Sequence, residues 1–300
     1  MPTSLPVKDK IRKLKLEYDR LKVGKESLLT LIQEAEISEM VYNSNAIENS
    51  TLTLKETEKI LLEMDVSRDV SLREVFEAKN LARVIEYIRT KSQEGELSVK
   101  MILLLHQMLM GNINDNIAGR FRRENEYVRV GTHIAPAPEH IDLMIENYMT
   151  EYTSEYDVYF IDKINKFHLD FETLHPFNDG NGRIGRVMIN YQLQRLGFPG
   201  IIIRDKEKQE YYKGFHEYRD NKNTKIMEKV LYLALLESLH KCVTYLKGEV
   251  VISLTEYAQK IGRLAPTILN AAKRQTIPAF REKGVWKIGS QPILQTVVSM

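Results

Sequence analysis

The sequence predicts a mainly α-helical protein with one short β-hairpin and a small mixed module towards its C-terminal end. Three observations carry that expectation. Apolar residues recur at helical spacing along most of the chain, only residues 121–137 read as extended, and the pattern changes character at Gly248. Residues 8–35 set Ile11, Leu14, Leu21, Leu28 and Leu31 among charges at helical spacing. Residues 36–48 form a second amphipathic stretch closing at Asn49-Ser50, where an Asn is a natural helix stop. Thr53 and Glu56 make a capping box for a helix running to Met64. Helices are expected next at about 72–93, 98–110 and 140–153. Tyr127–Ile134 reads as two short strands about Gly131, ended by Pro136 and Pro138. Helices at 161–174, 183–196, 207–220 and 225–246 follow. Beyond Gly248, Ser253-Leu254-Thr255-Glu256 starts a helix, Gly262 makes a turn, and Ala265-Pro266 opens a second helix. Ala279–Ile288 then reads as a hairpin, the order of a winged helix-turn-helix.

Bulk properties narrow the class. A hydrophobic content of 43% with 28% charged residues is ordinary for a soluble globular protein. A net charge of +2 gives no global pull towards nucleic acid or membrane. Cys242 is the sole cysteine, so no internal disulfide forms and a reducing, cytoplasmic setting is expected. The longest apolar run, Met101–Met110, is interrupted by His106 and Gln107 and reads as a buried helix, not a membrane span. The N-terminus lacks a signal-peptide apolar core.

Function is concentrated in His175-Pro176-Phe177-Asn178-Asp179-Gly180-Asn181-Gly182-Arg183-Ile184-Gly185-Arg186. Glycines let backbone approach a ligand and aim successive N–H groups into an anion-binding nest. The apolar pattern that follows places this nest at a helix N-terminus, where the dipole favours phosphate. Arg183 and Arg186, three apart, share a helix face and can reach phosphate oxygens. Asp179 is a hard oxygen ligand suited to Mg²⁺ that already holds phosphates. His175 suits general-base work near neutral pH. These residues imply phosphate chemistry on a nucleotide, but they do not choose between attack at the α- and the γ-phosphorus. His106, His140, His168, His216 and His240 lack metal-ligand spacing and read as core or surface.

The twelve residues match, in full, the Fic family pattern His-Pro-Phe-x-(Asp/Glu)-Gly-Asn-Gly-Arg-x-x-Arg, and the chain resembles that family over roughly residues 35–245. The resemblance implies a helical bundle with a β-hairpin flap, and transfer of AMP from ATP to a Ser, Thr or Tyr hydroxyl of a protein, the chain itself included, with release of pyrophosphate. On matching positions His175 would take the hydroxyl proton and Asp179 would hold Mg²⁺. The N–H groups of Gly180, Asn181 and Gly182 would cradle phosphate, Asn181 supporting the α-phosphate. Arg183 would bind the β-phosphate and Arg186 the γ-phosphate. Val130, Gly131, Thr132 and His133 resemble the flap that lines the nucleotide site and docks the target by strand addition. Tyr211 and Tyr212 resemble a pair near the adenine pocket. Arg219, where some relatives carry Asn, leaves GTP, UTP and CTP beside ATP as donors.

Ser44-Asn45-Ala46-Ile47-Glu48-Asn49 resembles the family's inhibitory pattern (Ser/Thr)-x-x-x-Glu-(Gly/Asn). In such proteins the glutamate pairs with the second motif arginine, here Arg186, withdrawing the cation meant for the γ-phosphate. Three regions are therefore expected: residues 1–65 with an inhibitory helix at about 36–49, a catalytic core at 66–247, and a winged-helix-like module at 250–300. The leading functional expectation is an autoinhibited protein adenylyltransferase. A de-AMPylating hydrolase using Glu48, and a DNA-binding regulator with a nucleotide-sensing domain, are the alternatives. DNA contact would run through residues 250–300; the oligomeric state is open, with a homodimer among the choices.

Overall fold

The computed structural model describes residues 3–63 and 70–290. The last residues of the helix expected to reach Met64, the expected boundary at residues 65 and 66, and the final ten residues of the C-terminal module lie outside the described residues. The helical expectation holds: α1 (Leu5–Lys22), α2 (Glu26–Ile47), α3 (Leu54–Leu62), α4 (Leu72–Lys91) and α5 (Val99–Met110) precede the hairpin β1 (Arg129–Val130) and β2 (His133–Ile134). Then come α6 (Ile141–Ser154), α7 (Phe160–Leu174), α8 (Asn181–Arg195), α9 (Lys208–Asn221) and α10 (Lys225–Lys247). The chain ends with β3 (Val250–Ser253), α11 (Leu254–Lys260), α12 (Ala265–Lys273), β4 (Ala279–Glu282) and β5 (Val285–Ser290).

One break falls elsewhere than the periodicity suggests. The expected junction at residues 35 and 36 is continuous helix, and the interruption lies at Gly24, whose φ of +74° ends α1. Glycine accepts that left-handed conformation without a Cβ clash. Side-chain periodicity alone does not see it, because the apolar stripe resumes within one turn.

The described residues divide into two compact units: residues 3–4 with 35–63 and 70–232, and residues 5–34 with 233–290. The first contains the large apolar core, in which Leu81, Val84 and Ile88 of α4, Leu105 and Leu109 of α5, Phe171 of α7 and Ile184 and Met188 of α8 are fully buried. Burial of this kind stabilises by roughly 1.5–3 kcal/mol per large side chain. It clamps α7 and α8 together so that the loop between them is held at both ends. α3 starts as expected, with Thr53 Oγ1 accepting from Glu56 N and Glu56 Oε2 accepting from Thr53 N.

Within the second unit, α11 and α12 pack on a three-stranded antiparallel sheet of order β3-β5-β4. Ile252, Leu254, Ala258, Ile268, Ala272 and Ile288 form its small core. Among the described residues no helix is long and apolar enough to cross a membrane.

Candidate active site

Two left-handed residues shape the loop between α7 and α8. His175 caps α7 at φ +49°, donating its N–H to Phe171 O, and Gly180 opens α8 at φ +82°. Asn181 braces the loop from inside. Its Nδ2 donates to Phe177 O at 2.8 Å and its Oδ1 accepts from Phe177 N at 2.9 Å, so its side chain is spent on the loop's own backbone. Phe177 is buried and stacks on His106 with ring centroids 3.7 Å apart. Gly119 N donates to His106 Nδ1, which leaves Nε2–H to donate to Asp179 O at 3.0 Å. Arg122 Nε donates to His175 O at 2.9 Å, and its other nitrogens bond Glu126 O, Pro136 O and Leu174 O. His106 and Arg122 therefore hold the loop at either end. His106 is a core residue, as its spacing suggests, yet its second task was not legible 73 residues away from Asp179.

Arg186 is almost wholly buried, and the end of α2 engages two of its three nitrogens. Its Nε donates to Ser44 Oγ at 2.9 Å, and its Nη2 donates to Ser44 O and Glu48 Oε1, each at 2.8 Å. Nη1 has no hydrogen-bond partner among the described residues. A Cβ on Gly182 would meet Glu48 Oε1 at 2.2 Å and Arg186 Nη1 at 3.1 Å. The Glu48 carboxylate thus lies against the bare Cα of α8's first turn, where a helix attracts anions. The end of α2 is set locally: Glu48 N and Asn49 N donate to Asn45 O and Ala46 O, and Asn49 stops the helix at φ +67°.

A second charge network surrounds Asp179. Its Oδ1 accepts from Gly180 N at 2.6 Å and from Arg183 Nη2 at 3.0 Å, and its Oδ2 accepts from Arg73 Nη2 at 2.5 Å. Glu77 bridges both arginines, 3.0 Å from Arg73 Nε and 3.1 Å from Arg183 Nη1. Burial alone would raise the Asp179 carboxyl, but Arg183 and Arg73 hold it below the usual carboxylate range. Among the described residues no group of three or more His, Cys, Asp or Glu is placed to hold a metal. A lone carboxylate at this position fits an ion that brings its remaining oxygen ligands with it. Arg73 and Glu77 were not anticipated, because nothing in the pattern of α4 separates them from an ordinary solvated i,i+4 pair.

Burial pushes His175 down to about 4, so its imidazole is neutral at physiological pH. Glu172 Oε2 lies 4.0 Å from His175 Nδ1. Burial and then the charge of Glu48 raise Glu172 to about 8, and its Oε1 has no hydrogen-bond partner. That oxygen would stand 2.4 Å from a Cβ on Gly185, which explains the glycine inside α8. The linkage has a definite sign. A carboxyl raised from 4.5 in the unfolded chain to about 8 contributes stability at low pH that is lost as pH rises through 8. Glu172→Gln should remove that slope: in calorimetric scans its melting temperature should exceed wild type at pH 9 by at least about 2–4 °C, the shift that 1 kcal/mol produces at this size, and match it near pH 5. Parallel curves would show that Glu172 does not titrate in the folded state.

The flap hairpin turns at Gly131, with φ +60°, and pairs Val130 with His133. His133 Nε2 bonds Thr173 O at 2.8 Å, tying the flap to the last turn of α7, and Ile134 is exposed. The tyrosine pair is split. Tyr211 is buried, its hydroxyl 2.8 Å from His168 Nε2 and its ring beneath the Arg186 guanidinium. It therefore backs Arg186 instead of facing outward. Half-buried Tyr212 donates its hydroxyl to Ile47 O at 2.9 Å, gripping the residue before Glu48.

The Fic/DOC family model matches residues 96–193, a span that runs from just before α5 into the last turn of α8. The chain carries a Fic/DOC domain. It is similar to the proteins named protein adenylyltransferase Fic of Drosophila erecta, 33% identical over 175 residues, and of Drosophila melanogaster, 31% identical. Each match covers 57% of this chain and 35% of the relative, so the chain spans about a third of the length of these relatives. Among solved structures, a Fic-domain signalling protein from Bacteroides thetaiotaomicron superposes with a TM-score of 0.70 at 25% identity, covering 80% of this chain and 98% of that one. A Fic family protein from Desulfovibrio desulfuricans matches in fold over 97% of this chain and 98% of its own, with TM-score 0.62 and 18% identity.

Proposed function

We propose that this chain is a protein adenylyltransferase held off by Glu48. The observation that carries the proposal is the Glu48 carboxylate on Arg186 at the N-terminus of α8, beside a neutral His175. The names of the curated relatives support the choice of AMP transfer over phosphoryl transfer. In the proposed reaction a Ser, Thr or Tyr hydroxyl oxygen of a target protein attacks the α-phosphorus of ATP. The bond from that phosphorus to the oxygen leading to the β-phosphate breaks, pyrophosphate leaves, and His175 accepts the hydroxyl proton. The N–H groups of Gly180, Asn181 and Gly182 donate to phosphate oxygens, with Asn181 acting through its backbone because its side chain is engaged. Arg183 and Arg186 neutralise the β- and γ-phosphates. Asp179 holds Mg²⁺, which when bound offsets the charge of the phosphates. The flap edge at Val130–His133 receives an extended target segment by strand addition. Tyr212 acts at one remove, by fixing the end of α2. A cytoplasmic setting belongs to the same proposal and rests on the single cysteine.

The test uses ATP labelled at either the α- or the γ-phosphate, with wild type, Glu48→Gly and His175→Ala. Label on protein from the α position alone, lost in His175→Ala, supports AMP transfer; protein labelled from the γ position overturns it. A second reading, removal of AMP by water, draws on Glu48 Oε2, which makes no hydrogen bond among the described residues and could orient a water. Release of AMP from a modified target by wild type, lost in Glu48→Gly, would favour that reading.

Arg73 yields a further prediction. Its guanidinium occupies the Asp179 oxygen that a metal would need, so Arg73→Ala should lower the Mg²⁺ concentration for half-maximal ATP binding. The pair is largely exposed on the arginine side, so the gain should be about 1.4- to fivefold, as for a pair worth about 0.2–1 kcal/mol. Titration calorimetry at fixed ATP measures it; an unchanged Mg²⁺ midpoint would remove Asp179 from the metal site.

A further inference from the structure

We propose that the C-terminal module binds duplex DNA through the outer face of α12, a function separate from nucleotide transfer. Residues 250–290 hold seven lysines and arginines against two glutamates, a net +5 in a chain whose total is +2, so everything outside them is net negative. Such segregation concentrates a positive potential on one small body. Some of these charges have structural partners, among them Arg281, paired with Glu237 at 2.6 Å, and Lys260, paired with Glu256 at 3.2 Å.

The charges on α12 have none. Ile268 and Ala272, four apart, turn inward onto the small core. The opposite face presents Thr267, Asn270, Lys273 and, directly after the last turn, Arg274, all exposed, with Arg263 exposed in the turn ahead. None of these five side chains makes a hydrogen bond or ion pair among the described residues, and no carboxylate stands on α12. From Thr267 to Arg274 that face carries hydroxyl, amide and cationic groups, with exposed apolar side chains only at its start, in Leu264 and Pro266, so it lacks the central apolar anchors of a protein–protein core. It matches what the major groove offers. An α-helix fits the width of that groove; an Asn can pair bidentately with adenine, a Lys or Arg with guanine, and the flanking cations with phosphates. α12 is the second helix of a pair joined through Gly262 at φ +63° and stands on the β4–β5 hairpin, so its outer face is held by a packed support.

The experiment is fluorescence anisotropy of the full chain with a labelled duplex drawn from a random-sequence pool, followed by selection from that pool. Binding is expected to weaken with salt, with a log–log slope of about −3, as three phosphate-directed cations require. Lys273→Ala and Arg274→Ala should each make the slope shallower by about 1. Asn270→Ala should leave the slope alone and relax preference at one base position of the selected sequence. All three are surface substitutions, so melting temperature and ATP binding should stay at wild-type values. No anisotropy change at low salt, a slope untouched in the Lys273→Ala/Arg274→Ala double variant, or displacement of the duplex by an acidic peptide at equal charge concentration would each overturn the proposal. The last outcome would assign the face to an acidic protein partner. Because these variants leave the Fic domain intact, failure here does not bear on AMP transfer.

Discussion

Glu48→Gly is expected to raise AMP transfer by at least about tenfold, which corresponds to about 1.4 kcal/mol of barrier. The physical basis is competition for one cation. Arg186 gives Nη2 to Glu48 and keeps only Nη1 unpartnered, while the Glu48 carboxylate rests against Gly182 where phosphate oxygens would lie. Arg186 is buried but the Glu48 side chain is 37% exposed, so water screens the pair and the coupling should lie at the low end of the about 1.5–7 kcal/mol found for close charge pairs, which is about tenfold. The variant should also melt at a lower temperature without ligand, because Arg186 loses its counter-ion and retains only Ser44. Saturating ATP should restore the loss by mass action. Glu48→Gln, which keeps the shape and removes the charge, should fall between the two. Equal transfer rates in wild type and Glu48→Gly, measured with α-labelled ATP, would dismiss the autoinhibition proposal.

His175→Ala should cost about 10²–10⁴ in transfer rate, the usual worth of a positioned general base, while ATP affinity stays within twofold in calorimetry. Nucleotide contacts in the proposal come from the loop backbone and two arginines, and His175 contributes to neither. The pH profile adds a second check. The proton acceptor must be neutral, and burial holds His175 near 4 instead of the ordinary 6.5. Transfer should therefore stay level from pH 8 down to about 5 and fall only below that. A half-maximal rate near pH 6.5 would mean that the base is solvated during the reaction.

Much of this was legible in the linear pattern, for a simple reason. The motif residues are contiguous, so their meeting requires only a turn and a helix start, both encoded by Gly180 and the apolar stripe after it. Helices were found because a buried face leaves a 3.6-residue trace. The break at Gly24 was missed because backbone conformation at a glycine leaves no such trace. Arg73, Glu77, His106, Arg122 and Glu172 were missed because each reaches the site from a different part of the fold. Tyr211 resembles a residue near an adenine pocket and equally suits a core position, since an aromatic at helical spacing reads the same in either place; its ring lies buried behind Arg186.

By itself, the sequence determined which charges would crowd around one helix N-terminus: a histidine, an aspartate and two arginines on a glycine-rich loop. Only the tertiary structure decided their partners. A guanidinium taken out of water must be neutralised and hydrogen-bonded by whatever the packing brings to it. For Arg186 that is the end of α2, 138 residues away in Glu48; for Asp179 it is Arg73 on α4, 106 residues away. Those distances put the pairing beyond any local rule, and the pairing is what sets the loop's resting state.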